Sequence, residues 1–216
     1  MRKILVWDAP TRLFHWLAAA LVGAAYATLR LDWMDWHARA GEALLALLLF
    51  RLVWGVFGSE TARFSRFLAS PRRAFAHLAG LFRREPDRQI GHNPAGGWMV
   101  VVLLGLLLGE TLTGIYVGND IADEGPLTEL VPAKIANAID AAHGLFWQAL
   151  LAAIVLHLLA ILAYGAAKRQ NLLWPMITGW KRLPESATPP ALIGPRRALL
   201  LFAGSVLAAA ALANFL

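Results

Sequence analysis

Cysteine is absent from this chain, and charge is scarce: Asp, Glu, Lys and Arg together make up 16% of its 216 residues. Without a thiolate there is no disulfide, no cysteine-held iron–sulfur cluster, no Cys-x-x-Cys-His attachment of a prosthetic group and no thiolate zinc site. Any metal or metallo-cofactor must rest on other side chains, histidine first among them. A soluble domain is roughly 25% charged, so the shortage of charge points away from a water-exposed globule. Acidic residues are the scarcer sign, 14 against 20 Lys and Arg, for a net charge of +6. In a membrane protein that excess belongs to cytoplasmic loops, and no nucleic-acid partner is expected.

What the chain has in quantity is hydrophobic residues, 58% of the total. They come in blocks of about twenty, the length that crosses roughly 30 Å of hydrocarbon. The reading is an all-α integral membrane protein: a four-helix transmembrane bundle over residues 1–167, with spans at 11–29, 37–57, 97–117 and 140–166. A linker, 168–197, leads to a fifth C-terminal transmembrane helix at 198–215. Ala25-Tyr26-Ala27 resembles a signal-peptide cleavage site, but Asp8, Arg12 and His15 interrupt the apolar run before it, so the first block reads as a span. Asp8 or Thr11 suits its N-cap, and Asn93 followed by Pro94 suits the start of the third span. Between the second and third spans, residues 71–84 place Phe75, Leu78 and Phe82 at helical spacing among arginines, the pattern of an amphipathic surface helix. His77 on that helix reads as solvated, and His92 as part of a helix start. The fifth span is rich in small residues, which suits close packing and oligomer contacts.

Loop charge sets the orientation. The N-terminus, the second-to-third loop and the fourth-to-fifth loop hold sixteen Lys or Arg; the opposite loops and span ends hold Arg30, Arg39 and Lys134. The positive-inside rule then puts the N-terminus in the cytoplasm and the C-terminus in the periplasm of a bacterial inner membrane. The loop from 118 to 139 is acidic (Asp120, Asp123, Glu124, Glu129) and reads either as a docking surface for a basic partner or as a solvated loop.

Ionisable groups inside spans mark function. His143 and His157 lie fourteen residues apart on the fourth span, about 21 Å along the axis and within about 40° of one direction. His37 opens the second span at the outer level of His143, and His15 sits near the inner end of the first, the level of His157. Neutral imidazole is the usual axial ligand of non-covalent haem. The expectation is two haem b groups, ligated by His37 and His143 on the outer side and by His15 and His157 on the inner. Gly41 and Gly144 leave room beside these ligands. Arg51 stands at the inner level, and Arg12 and Arg39 near each interface, where each could neutralise a haem propionate; Arg51 could equally snorkel to the surface. Glu110, mid-span in the third helix, reads as a proton relay at a quinone site or as a hydrogen-bonding group inside the bundle.

These motifs resemble a known family. Trp7-Asp8-Ala9-Pro10-Thr11-Arg12-Leu13-Phe14-His15-Trp16, His37-Ala-Arg-Ala-Gly41, Phe50-Arg51-Leu-Val-Trp-Gly55, Ala62-Arg63-Phe64-Ser65 and His92-Asn-Pro-Ala-Gly-Gly97 are similar to those of the bacterial cytochrome b561 and nickel–iron hydrogenase b-type cytochrome subunit superfamily. The likeness runs over roughly residues 4–166. It implies a four-helix di-haem core that moves electrons between a quinone pool and a redox partner, often a periplasmic cytochrome c or a hydrogenase. It also implies ligands at His15, His37, His143 and His157. The fifth span has no role in that core. Other readings stay open: a superoxide:quinone oxidoreductase of the same superfamily, a haem-bearing anchor subunit of a larger redox complex, or a small proton-coupled transporter.

Overall fold

A computed structural model of the chain describes residues 1–80, 89–117 and 132–215. In order, the elements are β1 (Arg2–Leu5), α1 (Ala9–Arg30), α2 (Met34–Phe57), α3 (Phe64–Phe67), α4 (Pro71–Ala79), α5 (Pro94–Gly114), α6 (Ala133–Lys168), α7 (Leu173–Thr178), β2 (Trp180–Leu183) and α8 (Pro195–Phe215). Helices α1, α2, α5, α6 and α8 are each long and apolar enough to cross a membrane. The acidic segment Asp120 to Glu129 and residues 81–84 of the amphipathic stretch lie outside the described residues; Pro71–Ala79 of that stretch is helical.

The span boundaries shift for identifiable reasons. Helix α6 begins at Ala133, not at 140, and has 36 residues, about 54 Å of helix against roughly 30 Å of hydrocarbon. Lys134 and Asp140 end the apolar run without ending the helix, because charge interrupts hydropathy and leaves backbone hydrogen bonding untouched. The start comes at Pro132, whose carbonyl accepts the N–H groups of Ile135 and Ala136. Helix α5 opens as expected at Asn93-Pro94: Asn93 Oδ1 accepts the Gly96 N–H at 2.7 Å.

Two compact units make up the chain: Met1–Leu13, Leu52–Val102 and Ala153–Ala198 form one, and Phe14–Arg51, Leu103–Ala152 and Leu199–Leu216 the other. The first contains an antiparallel pair that the apolar pattern did not signal. β1 lies against β2 with Arg2 opposite Leu183 and Leu5 opposite Trp180. The linker from 168 to 197 is therefore structured. Two strands alone are marginal in water; these are supported by buried Ile4, Val6, Trp7 and Leu183, with Ile90 and Met176 packed on them. Gly179 turns the chain between α7 and β2 at φ +87°, and a Cβ there would meet Leu5 Cδ1 and the Trp7 carbonyl oxygen at 2.7 Å.

Asp8 joins this sheet to the spans. It is buried, accepts the Thr11 N–H at 2.9 Å as the N-cap of α1, and accepts the Trp54 indole N–H at 3.1 Å. Thr61 Oγ1 donates to the Val6 carbonyl at 2.7 Å beside it. In the second unit α8 finds its place: Ala209 packs in a cluster with Leu45 and Ala46 of α2, flanked by Leu108, Ile115 and Leu212, and Phe202 meets Phe50 edge-on at 5.7 Å.

Asp8→Ala removes the cap and leaves a buried indole N–H without its acceptor. The expected loss is about 2 kcal/mol or more of unfolding free energy in detergent micelles, read by chemical or thermal denaturation; Asp8→Asn, which keeps one acceptor oxygen for the cap but sets an amide N–H against the indole, should lose part of it.

Candidate cofactor site

One stripe of α6 organises the polar groups of the spans. Residues His143, Leu150, His157 and Tyr164 recur every seven positions, and 700° of rotation brings each within about 20° of the one before. Leu150 and Tyr164 on this stripe are buried, and the two histidines are half-buried.

At the His143 end the imidazole is held from one side. Its Nδ1 lies 3.0 Å from the Glu110 carbonyl oxygen and 3.1 Å from Thr113 Oγ1. A carbonyl can only accept, so Nδ1 carries the proton and Nε2 is the nitrogen with a lone pair. Thr113 is held in turn by donating to the Gly109 carbonyl at 2.7 Å. Glycines bring α5 this close: a Cβ on Gly114 would stand 3.2 Å from His143 Cε1, and one on Gly109 would run into the Phe146 ring. Nε2 faces Glu110 Oε1 at 3.4 Å, with 21% and 15% of the two side chains exposed. Glu110, singled out by its mid-span position, thus neighbours His143.

His37, in the first turn of α2, repeats the pattern. Its Nδ1 lies 2.9 Å from the Ala25 carbonyl oxygen of α1, so there too Nδ1 donates and Nε2 is left with the lone pair. His37 is within Coulombic reach of His143. One turn along, Gly41 has no atom within 4 Å of where a Cβ would be; the same holds for Gly144. His15 is half-buried on α1 with its ring edge-on to Trp16 at 4.9 Å. His157 belongs to the other unit and is half-buried on its own helix.

The arginines divide. Arg51 is 2% exposed, which excludes snorkelling to the surface. Arg12 donates Nη1 to the Ile177 carbonyl at 2.6 Å and so ties α1 to the end of α7. Arg39 is exposed and lies over the Trp36 ring at 5.3 Å. His77, read as solvated, instead bonds through Nε2 to the Tyr164 hydroxyl, which also accepts from Asn93 Nδ2 at 2.8 Å. Only tertiary packing joins these three, from α4, the start of α5 and the end of α6. His92 packs between Trp7 at 4.6 Å and Phe67 at 4.7 Å.

The model of the prokaryotic cytochrome b561 family matches residues 6–179. The chain belongs to this family. Three similar proteins are each named "Probable Ni/Fe-hydrogenase B-type cytochrome subunit". The one from Bradyrhizobium diazoefficiens is 24% identical, over 84% of this chain and 87% of its own length. That from Rhizobium leguminosarum bv. viciae is 24% identical, over 82% and 88%. That from Azotobacter vinelandii is 23% identical, over 84% and 90%. No solved structure matches. This cytochrome b561 is a multi-pass membrane protein of a haem b family, and α8 lies beyond the matched residues.

The residues suit haem b. A zinc-like ion takes three or four protein ligands, and among the described residues no group of three His, Asp or Glu comes together to hold one. A porphyrin brings four nitrogens of its own and asks only for axial ligands, which histidines with Nδ1 anchored on a carbonyl can supply through Nε2. The open space beside Gly41 would admit the ring. Gly114→Val should push the His143 imidazole off its anchor and lower haem per chain by at least a third, measured as pyridine haemochrome. Gly204→Val on α8, where a Cβ meets nothing within 4 Å, should leave it unchanged.

Proposed function

We propose that this cytochrome b561 carries electrons across the bacterial inner membrane between a quinone pool and a redox partner on the periplasmic side. Two haem b groups are held, one by His37 and His143 and the other by His15 and His157. The observation that carries the reading is the matched anchoring of His37 and His143. Each fixes its Nδ1 proton on a backbone carbonyl of another helix, at 2.9 and 3.0 Å, and so offers Nε2. Such an outer contact fixes tautomer and ring orientation and raises ligand basicity. Haem supplies one-electron exchange at its iron when bound.

The chain's own residues do the rest. The α6 backbone spaces His143 and His157 across the bilayer. The carbonyls of Ala25 and Glu110 orient the imidazoles, and buried Arg51 supplies positive charge for a propionate. The orientation follows the basic N-terminus, the basic stretch 58–91 and the linker, all on the cytoplasmic side. For quinone, the group with suitable chemistry is Tyr164, on the ligand stripe two turns beyond His157. Its hydroxyl accepts from Asn93 and shares a hydrogen bond with His77 Nε2, the kind of hydrogen-bonding set that a quinone carbonyl can enter. The relatives' names point to a hydrogenase as the redox partner; a cytochrome c fits the same role.

The pairing is tested by haem stoichiometry in single and double variants. His37→Ala, His143→Ala and the double variant should each keep one haem of two, while His37→Ala with His157→Ala should lose both. Two haems per chain in His143→Ala would reject the assignment. Tyr164→Phe should keep both haems and slow their reoxidation by a water-soluble quinone about a hundredfold in stopped-flow absorbance, the low end of the scale for one positioned proton donor.

A further inference from the structure

Where α6 ends, its outer surface changes character over one short distance. A groove of about 560 Å³ runs beside the helix, with Ile161, Leu162 and Gly165 above and Arg169, Gln170 and Asn171 below. Leu162 is 67% exposed, and nothing lies within 4 Å of where a Gly165 Cβ would be, so the upper part is an open apolar channel. The lower part is polar and cationic. Arg169 leaves the helix at φ +52°, a left-handed conformation that a non-glycine residue adopts at a cost of about 1 kcal/mol, and its side chain is exposed. Asn171 is fixed beside it, because its Oδ1 accepts the Trp174 N–H at 2.8 Å.

The next helix continues the gradient. α7 exposes Leu173, Trp174 and Ile177, and Trp180 follows them, while Pro175 is buried beneath. A short helix that shows water-incompatible side chains, with tryptophan among them, belongs at the boundary between acyl chains and headgroups. From His157 to Pro184 the chain has no Asp or Glu and has Lys168, Arg169, Lys181 and Arg182.

We infer that this groove binds an anionic phospholipid, its phosphate on Arg169 and Asn171 and an acyl chain along Ile161, Leu162 and Gly165. Both parts of the groove are needed. Arginine alone would take any phosphate, and the apolar channel alone would take any lipid; one above the other selects a charged amphiphile. Basic side chains at a membrane surface attract anionic headgroups, and the channel adds the burial of chain methylenes. The site is separate from the histidines and does not depend on how haem is held.

The test uses the full haem-loaded protein in detergent, with phosphatidylglycerol, phosphatidylcholine or inorganic phosphate added and both native mass spectra and melting curves recorded. Phosphatidylglycerol should give a retained one-to-one adduct and raise the melting temperature, and the other two should do neither. Arg169→Gly removes the cation while relieving the left-handed backbone, and Gly165→Leu blocks the channel while favouring the helix; each should weaken the adduct at least tenfold. Equal retention of phosphatidylglycerol by both variants would overturn the site. Equal protection by inorganic phosphate would reduce it to an anion site, and equal protection by phosphatidylcholine to unselective detergent replacement; either outcome defeats the proposal.

Discussion

An imidazole inside a bilayer has no water to bond with, and that shortage shapes this protein. The Nδ1 proton of His37 goes to the Ala25 carbonyl and that of His143 to the Glu110 carbonyl. Each of these carbonyls belongs to a helix that already satisfies most of its own backbone, so the extra bond is available only where helices approach closely. Glycine supplies the approach. Gly109 admits Phe146, and Gly114 admits His143. Glu110, the ionisable group within α5, has the His143 ring as its neighbour at 3.4 Å.

A second anchoring system works where the chain meets water. The N-terminal residues, α7 and β2 are distant in sequence, yet they form one small body with Asp8 at its edge. Asp8 is useful because it has two acceptor oxygens: one caps α1, and the other holds Trp54 at the end of α2. Arg12 adds a tie from α1 to the Ile177 carbonyl. The residues that resemble a family signature, Trp7 to Trp16, thus divide their work. Trp7, Asp8 and Arg12 fasten the span, and His15 takes no part in that fastening.

At the end of α6, Tyr164 bonds to a histidine on the amphipathic α4 and to the asparagine that caps α5. The added fifth helix does quieter work: it covers α2 and α5 with Ala209, Phe202 and Leu212.

Much of this was legible from residues alone. Hydropathy located all five spans, because burying about twenty apolar residues in lipid is a large and additive term. The fourteen-residue spacing on α6 put His143 and His157 toward one face, because helix geometry is local. The capping roles of Asp8 and Asn93 were equally local. Tertiary structure alone decided that the linker folds against the N-terminus, that His77 bonds to Tyr164, that Glu110 meets His143 and that Arg51 is buried. Each of those depends on which elements come together in space, and pairings between distant residues leave no periodic mark in a single sequence.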